Sequence, residues 1–214
     1  MKTALVAGAT GMIGQQLVNL LVNDGYYDVV KVMSRRPFDL QHTKIQNIIT
    51  DLSDVSGLKE QIKADHIFCC LGTTMRKAKT KENFYKVDFT FPVEIAKHTK
   101  SLGASAFMLV SATGANKNSM FYYNRVKGDV EEALSLIGFS SLHIFRPSLL
   151  LGTREESRIG EDVGKVVYKI LGFMFPANVK AIDSLKVAKA MVHFAKQETT
   201  GVFFHDSKLM QSFV

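Results

Sequence analysis

The stretch Val6–Leu17, "VAGATGMIGQQL", decides the fold, because it sets three glycines between an apolar run and an amphipathic one. Before it, "TALVA" (3–7) reads as a short buried strand. After it, "GQQLVNLLVND" (14–24) repeats leucine and valine three and four residues apart, the helical period. Gly8, Gly11 and Gly14 then fall on the turn from strand to helix. Each spacing has a physical use: a tight turn, close approach of backbone to a diphosphate, and close packing of helix on strand. The helix start adds free N–H groups and the positive end of its dipole. The pattern is G-x-x-G-x-x-G rather than the G-x-G-x-x-G of many dinucleotide sites. Gly8, Thr10, Gly11, Met12, Ile13 and Gly14 are thus the expected phosphate loop.

Outward from this loop, short apolar runs alternate with longer helical patterns. Strands are expected at 28–33, 44–50, 66–71, 106–111 and 142–147, with helical periodicity over 82–103 and 119–138. Gly103 and Gly138 end two of these helices, as glycine commonly does. Such alternation predicts an α/β fold, a doubly wound parallel sheet of the Rossmann type covered by helices on both faces. Beyond Leu151 it weakens to two helical stretches and "GVFFH" (201–205). The expectation is a single domain over 1–214: a nucleotide-binding core over 1–150 and a small C-terminal, substrate-side cap over 151–214.

Bulk properties set outer limits. The chain has 214 residues, 46% hydrophobic and 22% charged, with mean hydropathy +0.05, ordinary for a globular domain. No apolar run reaches the length of a membrane span, and the glycine-spaced start lacks a secretory cleavage pattern. Cys69 and Cys70 are adjacent in an expected strand, where they face opposite ways, so a reducing cytoplasm is expected. A net charge of +7 favours anionic partners. The densest basic cluster, Arg76, Lys77, Lys79 and Lys81, reads as a solvated loop, and no nucleic-acid motif accompanies it.

The second strand addresses the nucleotide. An acid about 20 residues after the glycines would bind a ribose 2′-hydroxyl. "MSRRPF" supplies Ser34, Arg35 and Arg36 there instead, and guanidinium groups suit a 2′-phosphate. NADP(H) is therefore the expected cofactor. Asp51 and Leu52, after the third strand, are placed beside the adenine. Leu71, Gly72 and Thr73, after the fourth, are placed along the middle of the cofactor.

Chemistry is expected where the fifth strand ends. Ser111 lies there, and "FYYNRVK" (121–127) follows. On a helix Tyr123 and Lys127 share a face, whereas Tyr122 and Lys127 diverge. A second Tyr-x-x-x-Lys, Tyr27 and Lys31, enters a strand, where four steps separate the groups by roughly 13 Å. A tyrosine working near neutrality must shift by roughly three units, about 4 kcal/mol. One ammonium about 4 Å away supplies about that at an effective dielectric of 20. Ser111 would polarise a substrate oxygen and Tyr123 would exchange its proton, while Lys127 would lower the phenol's pKa and hydrogen-bond the cofactor's ribose.

These residues resemble the short-chain dehydrogenase/reductase superfamily, and more narrowly the atypical branch that includes the Tat-interactive oxidoreductases. The likeness runs almost end to end, through "GATGMIG", "SRRPF", "CCLGTT", "FYKVDF", "SATGANKNSMFYYNRVKGDVE", "FRPSLLLG" and "REESR". It implies an NADPH-binding fold with Ser111, Tyr123 and Lys127 as catalytic set, and Pro147, Leu149 and Leu150 beside the nicotinamide. Arg158 would face the cofactor or substrate. Two departures stand out: Asp88 lies near the place where many relatives carry a relay asparagine, and the C-terminal part is short for enclosing a nucleotide sugar. The leading expectation is a reductase of a small carbonyl. The alternative is an NADPH-responsive regulatory protein with little turnover that contacts a protein partner, and sugar-nucleotide isomerisation comes third.

Overall fold

Alternating apolar runs and glycine-ended helices give the layered arrangement expected of them. A computed structural model describes residues 1–151 and 180–213. The strands are β1 (Thr3–Ala7), β2 (Val29–Ser34), β3 (Ile45–Ile49), β4 (His66–Cys69), β5 (Ala106–Val110) and β6 (Ser141–Arg146). They are followed by the two-residue strands β7 (Leu150–Leu151) and β8 (Ile182–Asp183), and by β9 (Gly201–Asp206). The main sheet runs in the order β3-β2-β1-β4-β5-β6-β9, and every pairing in it is parallel. The order reverses between β1 and β4, so a crevice opens at their C-terminal ends.

Both faces of the sheet are apolar, as a parallel sheet requires. On one face α1 (Met12–Asn23) and α6 (Ser184–Ala195) pack on Val6, Val30, Phe68, Met108 and Phe145. On the other, α4 (Phe91–Ser101) and α5 (Tyr122–Ile137) cover Leu5, Ile67, Phe107, Leu109 and Ile144. The described C-terminal residues complete this core rather than cap it. β9 pairs with β6 in register from Ser141↔Gly201 to Arg146↔Asp206, and α7 (Ser207–Met210) closes the chain with Met210 buried. Arg158 and residues 152–179 of the expected cap lie outside the described residues.

The helical pattern over 82–103 hides a change of register. α2 (Met75–Ala78) and α3 (Lys81–Tyr85) lead into a π stretch, Lys86–Thr90, and then α4. The Phe91 N–H reaches the Lys86 carbonyl, five residues back. Pro92, next in line, has no N–H to offer. The wide turn carries Asp88, which is buried.

Candidate active site

The glycine loop has the shape that its spacing predicts. Gly8 has φ +84°, and a Cβ on it would lie 2.6–2.8 Å from the backbone of Cys70 and Leu71. Only glycine lets β1 and β4 approach this closely at their ends. A Cβ on Gly14 would stand 2.2 Å from the Gly8 carbonyl oxygen, so α1 rests directly on the loop. Gly11 N–H donates to Gly8 O at 3.1 Å. No side chain caps the start of α1 and no acid sits in its first turn. Its free N–H groups and positive dipole end therefore face the crevice, and a diphosphate suits that donor set.

The other expected cofactor residues line the same edge. Ser34 ends β2 and its hydroxyl donates to the Arg36 carbonyl, folding the strand end so that exposed Arg35 and Arg36 follow at once. Neither guanidinium forms an ion pair among the described residues. Asp51, beyond β3, is exposed, and the Ser53 hydroxyl and N–H hold its carboxyl below the usual range. Leu52 takes a left-handed φ of +66°. Leu71, Gly72 and Thr73 leave β4 with Gly72 exposed. Pro147 is buried at the end of β6, its carbonyl accepting Thr113 N–H at 2.9 Å, and Leu149 and Leu150 lead into β7.

Tyr122 and Tyr123 part on the first turn of α5. Tyr122 turns to α3, where its hydroxyl donates to the Lys81 carbonyl at 2.9 Å. Tyr123 is the one that feels Lys127 and Asp88 electrostatically. It lies beside Phe84, with ring centroids 5.8 Å apart, and stays 40% exposed. Lys127 Nζ is buried 2.8 Å from Asp88 Oδ1. The other pair, Tyr27 and Lys31, is excluded as the strand geometry predicts: Tyr27 Oη bonds His66 Nδ1 at 2.8 Å inside the core, and Lys31 Nζ donates to the Lys63 carbonyl.

Two expectations about the reactive groups need correction. Lys127 does not bring Tyr123 toward neutrality in the chain by itself. The phenol is raised above its ordinary value, first by desolvation; Lys127 pulls it down and Asp88 pushes it up. Desolvation is the larger cause, and the Asp88 carboxylate beside Lys127 opposes the lysine's pull. Ser111, in turn, is buried and its hydroxyl donates to Glu131. Glu131 also holds Arg146, through Nε at 3.0 Å and Nη2. Ser111 is thus tied into a network beneath β5 and β6 instead of being offered to the cleft.

Sequence reasoning missed this network and one glycine. A Cβ on Gly128 would fall 2.2 Å from Lys117 N and 2.4 Å from Asn116 C. The loop after β5 is pressed against α5 there, and Asn116 N–H bonds the Asn124 carbonyl at 3.0 Å. This contact sets the loop against the turn that carries Tyr123. The signal was present, since a mid-helix glycine costs about 1 kcal/mol and asks for a packing reason.

Comparison with known proteins agrees with this fold. The family model described as the NAD dependent epimerase/dehydratase family matches residues 4–118. A protein of Debaryomyces hansenii named "Protein FMP52, mitochondrial" is 33% identical over 92% of this chain and 89% of its own. "Protein HTATIP2" of Rattus norvegicus is 33% identical over 90% of this chain and 80% of its own. Among solved structures, the Bordetella bronchiseptica enzyme WbmH in complex with NAD+ superposes with TM-score 0.75 at 14% identity, over 96% of this chain and 75% of that one. These relatives also overturn the expectation of a cytoplasmic protein, because several fungal ones are named as mitochondrial. Cys69 and Cys70 are both free, which does not locate the chain. Among the described residues no helix is long and apolar enough to cross a membrane.

Proposed function

This chain belongs to the NAD-dependent epimerase/dehydratase family, and from that premise we propose that it is an NADP(H)-dependent oxidoreductase that reduces a small carbonyl compound. The observation that carries the proposal is the convergence of Tyr123, Lys127 and Asp88 where the π stretch meets α5, beside Gly72 in the loop after β4. When bound, NADPH supplies the hydride. The first turn of α1 would hold its diphosphate, and Arg35 and Arg36 its 2′-phosphate. An exposed pair of guanidiniums at the end of β2, with no acid among them, supports NADP(H) over NAD(H).

The chain's own residues manage the proton. Tyr123 carries it on the phenol oxygen and donates it to the carbonyl oxygen as that oxygen becomes a hydroxyl. Lys127 is held against Asp88, and its ammonium would donate to hydroxyls of the ligand. Ser111 acts through Glu131 and Arg146, setting the end of β5 against β6.

NADPH oxidation measured against a panel of aldehydes, ketones and enones tests this. Wild type should turn over at least one of them and Tyr123→Phe should not, with NADPH affinity nearly unchanged. Equal rates in both proteins would refute the role of Tyr123. The commitment of Ser111 to Glu131 favours a second reading, an NADPH-responsive regulatory protein. Tight NADPH binding with no oxidation of any panel member would support that reading instead.

A further inference from the structure

The two charges that act on Tyr123, those of Lys127 and Asp88, form one buried ion pair. Lys127 Nζ and Asp88 Oδ1 are 2.8 Å apart, with side chains only 5% and 1% exposed. The second oxygen of Asp88 accepts Thr73 N–H at 2.8 Å. The carboxylate therefore ties together the loop after β4, the π stretch that carries it, and α5. That π register is itself a local exception, a form that recurs at functional sites. Gly72 opens onto the pair: a Cβ there would stand 3.5 Å from Asp88 Oδ1 and 3.8 Å from Lys127 Nζ. A ligand running past Gly72 meets the ion pair with no side chain between.

We propose that Asp88 is a positioning residue, which holds Lys127 in place and cancels its field at the Tyr123 hydroxyl, so that the phenol keeps its proton until another positive charge enters the cleft. The inference deepens the reductase reading and rests on it for its functional meaning. A lone ammonium acts on the phenol as a charge, whereas an ammonium against a carboxylate acts as a dipole, whose field falls off faster. The remaining neighbours leave that balance alone. From β4 comes Cys69, which burial pushes up to about 11 and so keeps neutral; α3 contributes the uncharged ring of Phe84. Burial pulls the Lys127 ammonium down, but Asp88 and Tyr123 outweigh it and hold it above its ordinary value. Tyr123 is held up as well. A site in this state begins its cycle as a proton donor, which is what carbonyl reduction needs. The positive ring of an oxidised nicotinamide is the kind of charge that would release the proton.

The test is a charge cycle on the full-length, cofactor-free protein: wild type, Asp88→Asn, Lys127→Met and the double variant. Each is made with and without Tyr123→Phe, so that the difference in ultraviolet phenolate absorbance isolates Tyr123. In Asp88→Asn, Tyr123 should titrate about one unit or more below wild type, and in Lys127→Met about as far above it. The double variant should return to within roughly half a unit of wild type, because both charges are gone. An unchanged Tyr123 in Asp88→Asn would overturn the proposal. If Asp88→Asn fails to fold, Lys127→Met against the double variant carries the same question, and equal titrations there would overturn it. Because no turnover is read, the outcome is separable from the reductase reading. A correct cycle in a protein that reduces nothing leaves Asp88 in its role and removes the reductase. Turnover of NADPH with a flat cycle does the reverse.

Discussion

Acid should unfold this chain well above the pH at which carboxylates titrate. Three histidines lie inside the core, each 5% exposed or less. His66 accepts or donates at Tyr27 Oη, 2.8 Å away. His143 stands between Ser141 Oγ and His205 Nε2, both at 2.9 Å, and its ring stacks on Phe203 with centroids 5.0 Å apart. Burial, as the main cause, brings all three from 6.5 down to about 4. The folded chain therefore keeps them neutral at a pH where the unfolded chain has already protonated them. Stability is full above the unfolded value of 6.5 and falls as pH drops toward 4. Linkage gives a loss of about 2 kcal/mol per histidine by pH 5, or about 5 kcal/mol for the three between pH 7 and 5. That is comparable to the whole stability of many domains, about 5–15 kcal/mol. Hydrogen bonding between His143 and His205 does not change the sum, because neither is protonated in the folded chain over this range. Urea unfolding followed by circular dichroism at pH 7, 6 and 5 measures it. His143→Phe should be less stable at pH 7 but should lose about a third less on acidification. A free energy constant to within about 1 kcal/mol from pH 7 to 5 would refute the reasoning.

Three further outcomes are expected. Gly14→Ala forces a Cβ to within 2.2 Å of the Gly8 carbonyl; it should cost about 1–3 kcal/mol of stability and weaken NADPH binding in a calorimetric titration. Replacing Arg35 and Arg36 together with alanine should weaken NADPH by roughly 10–100-fold, at about 1.5–3 kcal/mol for charge-assisted contacts, while NADH affinity stays nearly constant; equal losses for both nucleotides would remove the 2′-phosphate assignment. Tyr123→Phe should lower NADPH-dependent turnover by about 100-fold or more, with the same melting temperature within error.

The main sheet was legible because its strands are short apolar runs with little else to be. Each observed strand from β1 to β6 falls within a residue of an expected run. The tight turn from β1 to α1 was legible for a similar reason, since Gly8 and Gly14 are required by backbone contacts that sequence spacing already encodes. Choosing Tyr123 over Tyr122 followed from helical geometry, and the structure separates the two as that geometry requires. What periodicity could not show were partners brought together across the fold. Asp88 meets Lys127 from another helix through a π register that leaves no periodic trace. Glu131 claims Ser111 from twenty residues away. The C-terminal strand was expected in a cap because "GVFFH" has apolar residues on both faces, Val202 and Phe204 on the open one, and nothing local says that it pairs with β6.

A structure of the chain with NADPH bound tests the central claim most directly. It should place the diphosphate on the first turn of α1, the 2′-phosphate between Arg35 and Arg36, and the nicotinamide past Gly72 within hydrogen-bond reach of the Tyr123 hydroxyl for any carbonyl bound there. A nicotinamide directed away from Tyr123, or a dinucleotide bound elsewhere than on the glycine loop, would contradict it.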